Sequence, residues 1–92
     1  MIASIRHKGL AALYYDDQTK GVKQSHVKRL RQILFLLASA YTVDDMNVPG
    51  LKLHQLKGQM AGFYAVSVSG NWRVIFRFED SQATDIDLID YH

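Results

Sequence analysis

The sequence contains no cysteine, which removes disulfides and thiol nucleophiles and fits a reducing compartment. Proline is nearly absent too: the single one, Pro49, precedes Gly50 and marks a turn. No apolar run approaches the ~20 residues of a membrane-spanning helix. The opening MIASIRHKGL lacks the apolar core of a signal peptide, so a cytoplasmic protein without membrane association is expected. Lys and Arg are absent after Arg77. All eleven precede position 78, against four Asp, for a net +7, whereas residues 78–92 carry five acids and no base. Basic surface of that density attracts polyanions, and the acidic stretch limits its spread.

Metal and nucleotide sites of familiar kinds find no support. His7, His26, His54 and His92 lie far apart in sequence with no second ligand at metal spacing, and no Gly-rich phosphate loop precedes a helix. No metal and no cofactor are expected. What is present is a core-forming composition: 48% of the 92 residues are hydrophobic, enough for one domain spanning residues 1–92.

Periodicity supplies the elements. Ile2 to Arg6 reads as a short opening strand, and Gly9 to Tyr15 as a compact helix closed by Asp16-Asp17. A polar loop, Gln18 to Gln24, leads to Ser25 as N-cap of a long helix from His26 to about Tyr41. Val27, Leu30, Leu34, Leu37 and Tyr41 recur at spacings of three and four, one buried stripe widened by Ile33, Phe35, Leu36 and Ala38. After Gly50 the period changes to two: Leu51 and Leu53, then Tyr64 to Val68, Trp72 to Phe78, and Ile86 to Leu88, separated by turn residues. The expected class is α+β: one strand, two helices, then a three- to four-stranded antiparallel meander with the helices on one sheet face.

Strand alternation sets Arg73 opposite Trp72, Val74 and Phe76, and His54 opposite the leucines around it, with Lys57 at the following turn. Cations and imidazoles on one face suit RNA cleavage by the strand's own 2′-hydroxyl. A base takes the hydroxyl proton, the oxygen attacks phosphorus, and an acid protonates the departing 5′-oxygen. Imidazole, titrating near ~6.5, serves either role, and Lys and Arg neutralise phosphoryl charge. Lys52, with Lys28, Arg29 and Arg31 on the wet face of the long helix, are candidates for RNA phosphates. Taken alone, these residues define a basic α+β domain that binds nucleic acid; a non-catalytic binding or protein-docking domain accounts for them equally well.

Four segments add a resemblance: His7-Lys8-Gly9-Leu10, Leu53-His54-Gln55-Leu56-Lys57-Gly58, Gly70-Asn71-Trp72-Arg73-Val74-Ile75-Phe76-Arg77-Phe78, and Asp90-Tyr91-His92. In this order and spacing they resemble the HigB toxins, the plasmid-maintenance killer branch of the RelE-like superfamily. The resemblance implies a ribosome-dependent endoribonuclease, an mRNA interferase that cuts mRNA in the ribosomal A site and so inhibits translation. It implies the ribosome and mRNA as targets, and a helix-turn-helix HigA-type antitoxin as partner, through which alone the pair would reach operator DNA. It places His54, Lys57, Arg73, Asp90, Tyr91 and His92 in the catalytic set. His92 would be the leading acid/base with His54 sharing the role, and Lys57 and Arg73 would hold the scissile phosphate. Tyr91 would stack on a base or orient the nucleophile, and Asp90 would set the geometry of the tail.

Overall fold

The computed structural model describes residues 1–91. Helix α1 runs Lys8–Asp16 and α2 Val27–Ser39; strands β1 His54–Gln55, β2 Tyr64–Ser69, β3 Trp72–Glu79 and β4 Gln82–Asp90 follow. The strands form one antiparallel sheet in the order β1-β2-β3-β4. The expected α+β meander is therefore what forms, and its turns explain themselves. Gly70, at φ +51°, closes the β2–β3 hairpin, and Asp80 and Ser81, both at positive φ, close β3–β4 as a two-residue turn whose twist matches the strands.

The helices cover one face of the sheet. Leu30, Ile33, Leu34 and Leu37 of α2 and Leu10 and Leu13 of α1 meet Val66, Val74, Phe76 and Ile86 of the sheet in one core. Phe76 is fully buried there, between Tyr64 (ring centroids 6.2 Å) and Phe78 (5.9 Å).

Several local expectations are corrected. The opening strand is reduced to two isolated bridges, Ile2 to Ala83 and Ile5 to Ile86, which run parallel to β4 and cover its edge. Ser25 does not cap α2. A 3₁₀ turn over Gln24–His26 precedes the helix, because His26 turns inward to hydrogen-bond Ser69 instead of ending the chain's approach at Ser25. Tyr41 and Phe35 lie outside the buried stripe, at 75% and 69% exposure. The helix stops at Ser39, before Tyr41, and Phe35 is one turn from both Arg31 and Ser39 on the wet side. Leu51 and Leu53 do not continue β1, because Lys52 adopts φ +54° and interrupts the extended backbone; Leu51 still accepts the Ser67 N–H at 2.7 Å.

The outer face of the sheet is not uniformly wet. Leu56, Ala65 and Ile75 form a second small core there with Met60, Phe63 and Ile89.

A close glycine contact fixes the Gln18–Gln24 loop to α1. A Cβ on Gly9 would stand 2.2 Å from the Gly21 carbonyl oxygen and 2.7 Å from its carbon, so neither residue has room for a side chain. Gly9→Ala is expected to lower stability by about 1–3 kcal/mol despite the better helix propensity of Ala. Urea unfolding reads this as a lower midpoint at unchanged slope.

Candidate active site

The sheet register places the predicted residues. On the outer face, His54 pairs with Ala65, Ala65 with Ile75, and Ile75 with Asp87. In the next row Ser67 pairs with Arg73, and Arg73 with Ile89. His54 and Arg73 thus stand on one face, two strands and one row apart, about 10 Å across the sheet at the usual strand spacing. Ala65, Ile75 and Ile89, apolar and buried or half-buried, make the floor between them.

His54 is exposed, and its Nδ1 lies 3.0 Å from the carbonyl oxygen of Lys52. A carbonyl only accepts, so Nδ1 carries the proton and donates it. In the neutral ring Nε2 is then an unprotonated acceptor, the tautomer a general base requires. The left-handed turn at Lys52 aims that carbonyl back at the ring, giving the irregular backbone before β1 a role in the site.

Arg73 is half-buried and its Nη1 donates to the carbonyls of Gly70 (2.7 Å) and Trp72 (3.0 Å), which hold the guanidinium beside the β2–β3 turn. Among the described residues no hydrogen bond is found for the other nitrogens of the fork, which suit an anion. Tyr91 reaches the same turn: its backbone N–H donates to the Asn71 carbonyl at 2.7 Å, and its side chain is 54% exposed. Asp90 pairs with Trp72 at the end of β4. Arg73, Asp90 and Tyr91 therefore gather around Gly70-Asn71. His92 lies outside the described residues.

Lys57 is placed differently. It is exposed and follows Leu56, whose N–H donates to the Phe63 carbonyl, at the end of the outer face away from the Gly70 turn. At that end Phe63 lies between two guanidinium groups, Arg6 at 5.5 Å and Arg77 at 5.8 Å from its ring centroid. Asp85 bonds Arg6 (3.4 Å) and Arg77 (3.0 Å), and Glu79 also pairs with Arg77. Two of the five acids of the acidic stretch thus pair with these two arginines. Two of the candidate phosphate contacts have structural employment: Arg29 donates to the carbonyls of Ser67 and Gly50, tying α2 to the sheet, and Arg31 pairs with Asp17 at 2.7 Å. Lys28 and Lys52 are exposed.

Sequence reasoning missed a second basic group of side chains. His7, Lys20, Lys23, His26 and Trp72 surround a cavity on the helix side of the sheet end. One signal was readable: His26 precedes Leu30 by four residues, on the line of the buried stripe.

A small antiparallel sheet with helices on one face and imidazole and guanidinium on the other makes a small basic α+β protein. The fold matches the YoeB dimer structure from Staphylococcus aureus with a TM-score of 0.63 over 100% of this chain and 97% of that one, at 16% identity. The Endoribonuclease HigB of Proteus vulgaris is 36% identical over 92 residues, the full length of both proteins. The model of the HigB-like toxins, RelE-like toxins of type II toxin–antitoxin systems, matches residues 3–92. The chain belongs to this HigB-like toxin family, so an antitoxin protein is its partner.

Proposed function

We propose that this chain is a ribosome-dependent endoribonuclease that cleaves mRNA in the A site and is held inactive by a helix-turn-helix antitoxin of the HigA type. The observation that carries the reading is the anchored His54, an exposed residue whose Nδ1–H is committed to the Lys52 carbonyl, on the same face as Arg73. The relative's name, Endoribonuclease HigB, supports the same chemistry.

In this reaction Nε2 of His54 removes the 2′-hydroxyl proton, and O2′ attacks the adjacent phosphorus. The P–O5′ bond breaks, and His92 supplies the proton to O5′. The products are a 2′,3′-cyclic phosphate and a 5′-hydroxyl. Arg73 takes up charge on the phosphoryl oxygens, Tyr91 packs on a base beside the Gly70 turn, and Asp90 fixes where β4 ends. Lys57, remote from Arg73, contacts the strand at a neighbouring phosphate, and Lys52 and Lys28 contact phosphates elsewhere along it. The face is open and shallow, so a flexible strand gains little orientation from it. A ribosome that presents the mRNA in a fixed path supplies that orientation, which contributes several powers of ten in rate.

Mapping the ends of translated mRNA in a purified translation system tests this. Cyclic-phosphate and 5′-hydroxyl ends on ribosome-bound message, with negligible cutting of the same transcript free in solution, are expected. Intact message on the ribosome overturns the nuclease assignment, and equal cutting of free RNA overturns the ribosome dependence.

A further inference from the structure

The cavity of about 280 Å³ on the helix side of the sheet end is lined by His7, Lys20, Lys23, His26, Trp72 and Leu88, among others. Its chemistry is unlike that of a packing defect. The Lys23 ammonium lies 5.2 Å from the centroid of the Trp72 ring, and the His26 ring meets the same indole edge-on at 5.5 Å. Lys23 is thereby held in place while remaining exposed, and Lys20 is exposed beside it on the same loop. The Gly9–Gly21 contact locks that loop against α1, so both ammonium groups are presented by a fixed backbone.

Two histidines add directed polar groups. Nδ1 of His7 accepts the Leu10 N–H at 3.2 Å as the N-cap of α1, so the ring proton is on Nε2, a donor. His26 is only 4% exposed; Nε2 is paired with the Ser69 hydroxyl at 2.8 Å, and Nδ1 is buried with no partner among the described residues. That nitrogen is sealed from solvent, so His26 serves the cavity by bracing the Trp72 ring that forms its wall.

The position of the cavity identifies that ligand. Trp72 lies between Asn71, which binds the Tyr91 amide, and Arg73 of the outer face. Asp90 is its partner on β4, one acid against two lysines. A strand leaving the outer face past Arg73 and Tyr91 rounds the Gly70-Asn71 turn directly into the cavity.

We propose that this cavity is a second RNA subsite, which grips a phosphodiester and its ribose on a nucleotide flanking the cleaved bond. Lys20 and Lys23 take the phosphate charge, the His7 Nε2–H donates to an oxygen of the nucleotide, and His26 holds the Trp72 wall in place. The subsite contributes affinity, not chemistry, and the inference rests on the RNA-cleaving reading above.

Trp72 is the only tryptophan, so its emission reports on this cavity. Titration with a hexaribonucleotide carrying 2′-O-methyl only at the cleaved nucleotide, so that it cannot be cut while the flanking riboses keep their hydroxyls, is expected to change that emission saturably. In the Lys20→Ala/Lys23→Ala variant the affinity should fall about tenfold, and the log–log salt slope should flatten by about 0.7, the loss of one neutralised phosphate on a single strand. On ribosomes the variant should raise KM about tenfold with kcat unchanged. Binding by the variant equal to wild type, or saturable binding that leaves Trp72 emission unmoved, overturns the subsite. A wild-type protein that binds the probe through Trp72 but leaves ribosomal mRNA intact supports the subsite and overturns only the nuclease reading.

Discussion

His54→Ala is expected to lower the single-turnover rate on ribosome-bound mRNA about 10²–10⁴-fold, the range a positioned acid/base contributes. The fold should be indifferent to the change. His54 is exposed, and the hydrogen bond found for its ring is the one to the Lys52 carbonyl; surface substitutions of this kind stay within about 0.5 kcal/mol. Two further readouts separate a proton-transfer group from a residue that only touches RNA. Imidazole added to the buffer should restore part of the His54→Ala rate, because the vacated side-chain volume faces solvent and the missing function is a proton acceptor. Binding of a non-cleavable ribosomal substrate should be unchanged, since a neutral ring contributes no charge to phosphate contact. A His54→Ala protein that cuts at the wild-type rate refutes the assignment of the base.

The features legible in the sequence are those governed by local period. Leu30, Leu34 and Leu37 announce the buried stripe of α2, and alternation along Trp72–Glu79 sets Arg73 on the face opposite Val74 and Phe76, as found. The fold class was accessible on these grounds; that His54 joins this face was not, because residues 56–63 separate β1 from β2 and no tight turn fixes their register.

What was not legible depends on where side chains find backbone partners and on contacts between residues distant in sequence. Nothing near Arg73 says that its guanidinium bonds the Gly70 carbonyl, nor does anything near His54 say that Lys52 adopts a left-handed conformation to meet its ring. Ser25 has the chemistry of a cap, yet Ser69, 43 residues beyond His26, draws the histidine inward and shifts the helix start. Lys57 reads as a companion of Arg73 because both are cations near strands, and only the register separates them along the sheet. The second RNA subsite is distributed over His7, the Lys20–Lys23 loop, His26 and Trp72, a set no local pattern connects.

Ile75 gives this distinction its strongest energetic test. Alternation assigns it to the face of Arg73 and Arg77, where a side chain facing water would cost almost nothing to remove. In the structure Ile75 is 2% exposed, closed over by Leu56, Ala65, Met60, Phe63 and Ile89. The covering residues come mainly from the segment between β1 and β2, which folds back so that the outer face is half core and half site. Ile75→Ala should therefore destabilise by about 2–5 kcal/mol, as for other buried branched aliphatics. Against the roughly 5–14 kcal/mol expected of a chain this size, the loss is large and easily measured by urea unfolding. A change below about 0.5 kcal/mol would mean that the outer cluster is not a packed core. The same substitution carries a functional consequence. Ile75 lies in the His54 row, between Ala65 and Asp87, and its neighbour in the next row is Arg73. Removing the floor on which base and guanidinium are spaced should lower kcat of the still-folded variant, whereas Ile75→Val, which keeps most of the volume, should retain both stability and rate. The hydrophobic side chain that alternation would discard is thus the one that holds the polar site at its working width.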